Sequence, residues 1–367
     1  MMKNIYIAYL AVSIMSAMIV GCSGGDDEET NFSFITNKGN ITFKDQEVKS
    51  ICVKNWDTNG DGELSYQEAA NVTNLENSFV NSTIDSFDEF QFFTGITEIK
   101  GTYYHHTDQY DVRYYYTNGS FKNCPRLTSI ILPKSLTYIG GDVFCNCSSL
   151  TNIVIPESVK ELGHGMYGIF QNCSKLEEVT LSGKLTTIEV NMFVNCKNLK
   201  RINIPNSIGT IGSRAFLGCE NLEEVKLTNG LFNIKNSAFS GCTKLRNIDL
   251  PESLKTIENE AFAKCSSLTN IIIPPHVINI NAGTFSDCKN LVSVTIKEGI
   301  KSINNKAFSG CSNLNSIHII NNTPPSLDNN GFDNTLYSTA TLYVPKGSIG
   351  MYQSANNWQN FLKIVEE

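Results

Sequence analysis

The sequence repeats one frame along most of its length, and a single cysteine marks each copy. These cysteines are Cys124, Cys147, Cys173, Cys196, Cys219, Cys242, Cys265, Cys288 and Cys311. Successive cysteines are 23 residues apart, except Cys147 and Cys173, which are 26 apart. Leucine follows each cysteine after three residues, and isoleucine or valine follows after three more. Such strict spacing indicates a solenoid, in which each unit buries its apolar side against its neighbours.

Within each unit, apolar residues such as Ile248 and Leu250 alternate at the strand period, so they are predicted to point inward. A second inward pair, such as Leu254 and Ile257, comes before a phenylalanine that is predicted to close the coil. The closing phenylalanines are Phe144, Phe170, Phe193, Phe216, Phe239, Phe262, Phe285 and Phe308. Stacked strands about 4.8 Å apart would make these units a ribbon roughly 40 Å long.

The repeated cysteines are predicted to line the interior as small apolar side chains, because each coil contains one such cysteine at the same position, always followed three residues later by leucine. Disulfides are the alternative, since an exported chain meets oxidising surroundings and adjacent coils lie within bridging reach. Against them, nine cysteines cannot all pair with one another, and parallel thiols in a stack point the same way. The Cys-x-x-Cys spacing of metal sites does not occur.

This frame is similar to that of the BspA-like, or Treponema-type, leucine-rich repeat family over about residues 90 to 320. The expected fold is a β-rich leucine-rich repeat solenoid with right-handed coils of about 23 residues, a small helical EF-hand-like N-terminal cap and a C-terminal cap. Known members are bacterial surface proteins linked to adhesion. The resemblance therefore implies a host or bacterial surface protein as the partner.

The outward residues of the predicted strands differ from unit to unit, whereas the inward residues hardly change. Candidate ligand-binding residues on this face are Glu178, Arg201, Glu224, Lys226 and Asp249. A varied face on a uniform interior suits an extended recognition surface. The alternatives are a solvated sheet that binds nothing and a purely architectural surface protein.

The segment GTYYHHTDQYDVRYYYTNGS, residues 101–120, lengthens the first unit. Its candidate ligand-binding residues are Tyr103, Tyr104, Tyr110, Tyr114 and Tyr115. Tyrosine rings stack on sugars or anchor a peptide at modest entropic cost, so a glycan-binding role for residues 102–119 is an alternative function. The segment is equally read as a hairpin that caps the first coil.

The stretch DTNGDGELSYQE, Asp57 to Glu68, fits the twelve-residue EF-hand pattern and predicts a Ca²⁺ site. Gly62 would make the sharp turn. The predicted oxygen ligands are Asp57, Asn59, Asp61, the carbonyl of Glu63, Ser65 through water, and Glu68 as a bidentate carboxylate. Residues 44–56 and 65–72 are predicted as the flanking helices. EF-hand loops normally pair, but the sequence holds no second loop.

The first residues, MMKNIYIAYLAVSIMSAMIVGC, predict a secretion signal, because the apolar run from Ile5 to Val20 is shorter than the roughly 20 residues that span a bilayer. Its end resembles a lipobox, which implies lipidation at Cys22. An ordinary signal peptide with a chance cysteine is the alternative. The acidic residues that follow resemble an export signal of Bacteroides-type bacteria. The expected location is the outer membrane, lipid-anchored and exposed on the cell surface, with membrane contact only through the lipid.

The predicted organisation is a signal peptide at 1–21, a flexible acidic linker at 22–31, an EF-hand-like segment at 32–85, the solenoid at 86–322 and a C-terminal cap at 323–367. Residues 86–100 are predicted to begin the solenoid. Trp358, Phe361 and Ile364 are predicted as the apolar face of a closing helix, with a ligand role for Trp358 as the alternative.

The composition argues against two further classes of function. The formal charge is −7 and basic residues are not clustered, so nucleic acid is not expected as a partner. The sequence has no Gly-x-Ser-x-Gly elbow, no Walker loop and no His-Glu-x-x-His motif, so the protein is predicted not to be an enzyme. A glycosidase with two carboxylates across a cleft is the alternative that sequence leaves open.

Overall fold

Two short parallel strands recur along the chain, one on each side of a shared interior. One set is Ser86–Phe87, Ser129–Ile130, Asn152–Val154, Glu178–Thr180, Arg201–Asn203, Glu224–Lys226, Asn270–Ile273, Ser293–Ile296, Ser316–Ile319, Thr341–Val344 and Ile364–Glu366. The other set is Glu98–Ile99, Tyr138–Ile139, Glu161–Leu162, Thr187–Ile188, Thr210–Ile211, Asn233–Ile234, Thr256–Ile257, Asn279–Ile280, Ser302–Ile303 and Ser326–Leu327. We call the surfaces of these two sets the long-strand face and the short-strand face.

The computed structural model describes residues 39–100, 102–107, 113–163 and 167–367, with only the backbone of 102–107 and 113–118. These residues belong to one unit, Lys38–Glu367. It is a β-solenoid of about ten turns of roughly 23 residues, which confirms the predicted fold class. The predicted signal peptide 1–21, Cys22 and the linker 22–31 lie outside the described residues.

The strands are stacked so that equivalent residues of successive units lie side by side. On the long-strand face Arg201 pairs with Glu224 and Asn203 pairs with Lys226, an offset of one repeat. On the short-strand face Ile211 pairs with Ile234 in the same way. Each repeat position therefore forms a column that runs along the solenoid.

The interior contains an uninterrupted stack of phenylalanine rings. From Phe121 to Phe332 successive ring centroids are 5.0 to 5.5 Å apart, and their planes differ by 3° to 12°. The predicted closing phenylalanines are thus confirmed as the core of the coil. The stack extends further than predicted, because Phe79 lies 5.3 Å from Phe121 at the N-terminal end.

Each of the nine repeat cysteines is buried, as predicted, and each thiol donates to a backbone carbonyl. The acceptor belongs to a phenylalanine of the preceding part of the stack, as from Cys219 Sγ to Phe193 O at 3.1 Å. Burial raises the pKa of the Cys265 thiol to about 12. Cysteine therefore combines a small apolar volume with one donor, and no disulfide joins the cysteines that the structure describes.

An asparagine ladder runs beside the cysteines through the N-terminal coils. Asn123, Asn146 and Asn172 each have a φ of 60° to 64°, a left-handed conformation that asparagine tolerates well. The Asn146 amide donates to Asn123 Oδ1 at 2.7 Å, and the Asn172 amide donates to Asn146 Oδ1 at 2.9 Å. These bonds link neighbouring coils at the turn that follows each stacked phenylalanine.

The N-terminal cap contains the two predicted flanking helices, Gln46–Trp56 and Tyr66–Asn71. Asp45 caps the first helix through bonds from the backbone N–H groups of the next turn. The Trp56 ring contacts Phe93 at 5.7 Å between centroids, in an edge-on arrangement. The buried residues of the cap and the coils accordingly form one hydrophobic cluster, from Ile41 to Phe361.

The first coil pairs with the next coil on both faces. Ser86–Phe87 pairs in parallel with Ser129–Ile130, and Glu98–Ile99 pairs with Tyr138–Ile139. A 3₁₀ helix, Asp88–Phe92, joins the two sides. Residues 86–100 are therefore a coil of the solenoid that lacks the cysteine frame.

The C-terminal cap differs from the predicted closing helix. Trp358 lies in a 3₁₀ turn, Trp358–Asn360, while Ile364 lies in a strand that pairs in parallel with Thr341–Val344. The prediction of one helix was wrong because the last long strand presents backbone groups that a further strand satisfies. Two short helices, Leu336–Thr339 and Ile349–Ser354, complete the cap.

Trp358 itself is a core residue of this cap. It is 1% exposed, and its indole Nε1–H donates to Pro325 O at 2.7 Å. A buried and hydrogen-bonded indole does not present its ring to a ligand, so the alternative role for Trp358 is not supported.

The lengthened first unit contains an antiparallel hairpin, Thr102–Thr107 with Arg113–Asn118. Its base is closed by Ser120, whose hydroxyl donates to Lys100 O at 3.2 Å. The hairpin interpretation is therefore correct for the backbone.

Among the described residues, no helix has the length and apolar character needed to span a membrane.

Candidate binding face

The long-strand face is built from strands whose residues alternate between buried and exposed. In Arg201–Asn203 the central Ile202 is buried while the two flanking side chains are exposed. The same pattern holds for Glu178–Thr180 and Glu224–Lys226. The alternation of side chains along a strand explains the pattern, because only one side of each strand meets the interior.

All five side chains predicted for this face lie on the surface: Glu178, Arg201, Glu224, Lys226 and Asp249. Residues 246–250 are not in a strand, but Ile248 is buried and Asp249 is exposed, as in the neighbouring units. Leu250, which was predicted to point inward, is only half-buried. The structure thus brings the five residues together on adjacent coils.

Opposite charges alternate along the centre of this face. Lys200 Nζ lies 3.2 Å from a Glu177 carboxylate oxygen, and Arg201 Nε lies 3.7 Å from a Glu224 carboxylate oxygen. The side chains of all four residues are more than half exposed. Such surface ion pairs contribute about 0 to 1 kcal/mol, so these groups can exchange partners at little cost.

The charged residues at the centre of the face line two open depressions. The first, of about 700 Å³, is lined by residues that include Glu178, Arg201 and Glu224. The second, of about 740 Å³, includes Arg201, Lys226 and Asp249. Both lie open on the long-strand face, which suits contact with a broad partner surface.

Exposed aliphatic side chains flank the charged centre, and sequence reasoning did not select them. Ile131 and Val154 lie on one side, and Ile272 and Val292 lie on the other. Val154 is 61% exposed and Ile272 is 54% exposed. The signal was present in the sequence as apolar residues at outward positions of the repeat.

The loop from Asp57 to Glu68 has the turn that its sequence predicted. Asp57 Oδ2 accepts from the Gly62 N–H at 2.9 Å, and Asn59 Oδ1 accepts from the Asp61 N–H at 2.8 Å. Gly60 and Gly62 have φ values of 75° and 80°, which favour glycine. The oxygen-bearing side chains of the loop are therefore held by its own backbone.

Glu68 closes the loop from the second helix. Its Oε2 accepts from the Ser65 N–H at 2.9 Å, and its Oε1 accepts from the Thr58 N–H and hydroxyl, both at 2.8 Å. These bonds, the one from Ser65 N–H foremost, lower the pKa of Glu68 to about 2. The carboxylate is thus charged and turned toward the predicted metal-binding loop.

The residues that precede the first helix are hydrogen-bonded to the end of the loop. The Ile41 N–H donates to Leu64 O at 2.8 Å, and the Tyr66 N–H donates to Gly39 O at 3.2 Å. Residues 39–41 therefore pair with the loop in antiparallel fashion. Within the described ranges no three Cys, His, Asp or Glu side chains converge as a metal cluster, so calcium binding stays a prediction.

The tyrosine segment is described only in part. Tyr103, Tyr104, Tyr114 and Tyr115 lie in the hairpin strands, whose backbone alone is described, and Tyr110 lies outside the described residues. In the hairpin register Tyr103 is opposite Thr117. Their predicted role in ligand binding is not tested by the structure.

Comparison with solved structures returned several bacterial leucine-rich repeat proteins. The chain is 21% identical to a leucine rich cell surface protein from Faecalibacterium prausnitzii, covering 64% of this chain and 82% of that one, with a TM-score of 0.33. It is 22% identical to the pneumococcal vaccine antigen PcpA, covering 74% and 85%, with a TM-score of 0.40. It is 24% identical to the leucine-rich repeat protein of T. pallidum, covering 58% of this chain and 87% of that one, with a TM-score of 0.38.

No curated protein matches the sequence significantly. The family described as "BspA type leucine rich repeat region (6 copies)" matches residues 115–246 and 209–339. Together these matches span residues 115–339, more than half of the 367 residues, and they begin after the loop at Asp57 to Glu68. The family supports a protein-binding role in general. The chain therefore belongs to the BspA-type leucine-rich repeat family.

Proposed function

We propose that this protein is a bacterial surface protein that binds host or bacterial surface proteins through its long-strand face, as an adhesin does. The observation that carries the proposal is the contrast between a uniform interior and an outward face whose side chains change from coil to coil. Glu178, Arg201, Glu224, Lys226 and Asp249 lie together at its centre. Exposed aliphatic side chains on both sides add apolar area that a protein partner would bury.

The form of the face favours binding over catalysis. The carboxylates of Glu177 and Glu224 are exposed and lie beside Lys200 and Arg201. A glycosidase holds two carboxylates on opposite sides of the scissile bond, whereas these stand in one open plane. Their arrangement supports electrostatic recognition of a partner surface.

A binding panel tests the proposal. Purified protein would be presented to host matrix proteins and to surface proteins of neighbouring bacteria, and binding measured by interferometry. Arg201→Glu should weaken the interaction with a bound partner about tenfold or more, because a reversed charge opposes the complementary one. Lys197→Glu is the matched control, since Lys197 forms a similar exposed pair with Glu220 outside the strands. Equal losses in both variants would contradict the proposal.

The proposed location follows from the N-terminal sequence. A lipid on Cys22 would tether the protein to the outer membrane and leave the solenoid outside the cell. Cys22→Ser should then release the protein from the membrane fraction, and protease added to intact cells should remove the parent protein. Protection from that protease would contradict surface exposure.

The tyrosine hairpin supports a second candidate partner, a glycan. Its two strands lie between Lys100 and Ser120, whose hydroxyl donates to Lys100 O. If glycans bind there, a glycan array should show a signal that is lost on deletion of residues 102–119, while protein binding is unchanged. An array signal that survives the deletion would exclude the hairpin.

We also propose that the loop from Asp57 to Glu68 binds Ca²⁺ in a structural role. The oxygens of Asp57, Asn59 and Asp61 lie in one tight turn, and the charged Glu68 faces it. This donor set is all oxygen, which a hard cation prefers. The Glu63 carbonyl and Ser65, through water, would complete the ligands.

Isothermal titration with Ca²⁺ tests this site. Asp57→Ala and Glu68→Ala should abolish the binding heat, whereas Asp328→Ala, an exposed carboxylate near the other end of the chain, should not change it. Unchanged heat in the first two variants would contradict the assignment.

A further inference from the structure

Over eight coils, the central column of the long-strand face is partly symmetric about its midpoint. Along the solenoid its residues are Ser129, Asn152, Glu178, Arg201, Glu224, Asn247, Asn270 and Ser293. Reading inward from the two ends matches serine with serine, asparagine with asparagine, and then Glu178 with Asn247. At the midpoint Arg201 is matched with Glu224, which is its opposite in charge.

The two neighbouring columns are matched about the same midpoint. The preceding column is Thr128, Thr151, Glu177, Lys200, Glu223, Arg246, Thr269 and Val292. The following column is Ile131, Val154, Thr180, Asn203, Lys226, Asp249, Ile272 and Thr295. About this midpoint Lys200 is matched with Glu223, Glu177 with Arg246, and Val154 with Ile272.

We infer that two copies of this chain dock face to face through their long-strand faces, with their coils in antiparallel order. A twofold axis parallel to the strands, lying between the Arg201 and Glu224 coils, reverses the order of the coils and keeps the strand direction. Each column then meets the same column of the second copy, as a twofold contact requires. The inference rests on the long-strand face being the binding face, as proposed above, and names the second copy as its partner.

In this arrangement the charged contacts are attractive. Arg201 of each copy faces Glu224 of the other, Lys200 faces Glu223, and Glu177 faces Arg246. The symmetry doubles every one of these contacts. Within the three columns no two like charges are directly opposed.

At the two ends of the contact, aliphatic side chains of the two copies meet. Val154 of each copy faces Ile272 of the other, and Val292 of each copy lies at the same end of the contact as Ile131 of the other. All four side chains are at least 40% exposed in the single chain. Docking would remove this apolar area from water, which is favourable whatever the salt concentration.

The charges also disfavour the two neighbouring registers. If one copy slides so that the axis passes through the Arg201 coil, Lys200 and Arg201 face their own copies and Glu178 faces Glu224. If the axis passes through the Glu224 coil, Glu223, Glu224 and Lys226 face their own copies. Like charges in direct opposition are strongly unfavourable, so both neighbouring registers are disfavoured.

The contact is long and narrow, which sets the expected strength. Eight coils at about 4.8 Å each extend roughly 38 Å, and three columns are about 10 Å wide. Such a strip is smaller than the interface of a typical stable complex. We therefore expect a weak dimer whose population depends on protein concentration.

Sedimentation velocity over a range of concentrations tests the inference, using the chain from residue 23 onward, because the described core begins at Ile41. The parent should pass from monomer to dimer. Arg201→Glu and Glu224→Arg should each weaken association about tenfold or more, because each places like charges in two symmetric contacts. An equimolar mixture of the two variants should restore association, since each introduced charge then faces its opposite on the other copy.

The mixture distinguishes contact between copies from effects within one copy. Within each variant, positions 201 and 224 carry like charges whether or not the other variant is present, so restored association can come only from contact between the two copies. Lys197→Glu should leave association unchanged. A parent that remains monomeric, or variants that neither weaken association alone nor restore it when mixed, would overturn the inference. A monomeric parent that still binds a protein of the panel, with loss in Arg201→Glu, would overturn the dimer and leave the proposed function standing.

Discussion

The interior of the solenoid and its long-strand face differ in how they use the repeat. In the interior each coil supplies the same residue, so that Phe193, Phe216 and Phe239 stack at 5.1 to 5.2 Å. On the long-strand face the equivalent positions are occupied in turn by Glu178, Arg201 and Glu224. Burial and packing therefore reside in columns that cannot vary, while the outward columns are free to acquire a binding pattern.

The interior side of this comparison is tested most strongly by Phe216→Ala. Phe216 is fully buried between two stacked rings, so the variant should lose about 3 to 5 kcal/mol of unfolding free energy through lost burial and a cavity. Urea unfolding followed by circular dichroism measures it. Phe232→Ala is the matched control, because Phe232 is 43% exposed on the short-strand side. Similar losses in the two variants would break the comparison.

In the N-terminal cap, the buried carboxylate of Glu68 can be compared with an exposed one. Glu68 accepts several bonds, so Glu68→Gln should lose about 2 to 3 kcal/mol of unfolding free energy, measured by urea unfolding without calcium. The exposed carboxylate of Glu161 supplies the control Glu161→Gln, which should change little.

The same variant has a defined pH dependence. Folding lowers the pKa of Glu68 from 4.5 to about 2, so its stabilisation is complete above pH 4.5 and is lost as the pH falls toward 2. The difference in unfolding free energy between parent and Glu68→Gln should therefore shrink across that range. A difference that stays constant down to pH 2 would show that the carboxylate charge does not carry the effect.

Cys219→Ala sharpens the description of the interior. The change removes the thiol that donates to Phe193 O and leaves a small cavity, so a loss of about 1 kcal/mol in unfolding free energy is expected. Thermal and urea unfolding of the fully reduced proteins measure it. No loss would mean that the thiol serves only to fill space that the coil can close.

The smallest effect on stability is expected on the long-strand face. Arg201→Ala removes one end of an exposed ion pair, so its unfolding free energy should lie within about 0.5 kcal/mol of the parent. Affinity for a partner should nevertheless fall. A variant that lost stability and kept its binding would reverse the roles assigned to the two regions.

The sequence predicted the repeated part of this structure well because the same kind of residue recurs in each interior column. The burial of Cys219, the ring of Phe216 and the exposure of Arg201 all follow from a strict spacing. Calcium binding at Asp57, and the roles of the tyrosines in the first unit, stay predictions.

The ends of the solenoid were predicted less well because the frame stops there. Phe79 joins the ring stack without the cysteine spacing, and the hairpin separates it from Phe121 in sequence. The strand Ile364–Glu366 forms because a neighbouring strand offers backbone partners, which no local pattern reveals. The pairing of residues 39–41 with the loop from Asp57 to Glu68 has the same origin.

Thiol accessibility tests the central claim most directly, because that claim requires every repeat cysteine to lie inside one continuous interior. The purified protein, never exposed to reductant, would be alkylated at pH 8 with and without denaturant and examined by mass spectrometry. We predict no alkylation of the nine repeat cysteines in the native protein and complete alkylation of all nine once it is unfolded. Alkylation in the native state, or disulfides among these cysteines, would contradict the account.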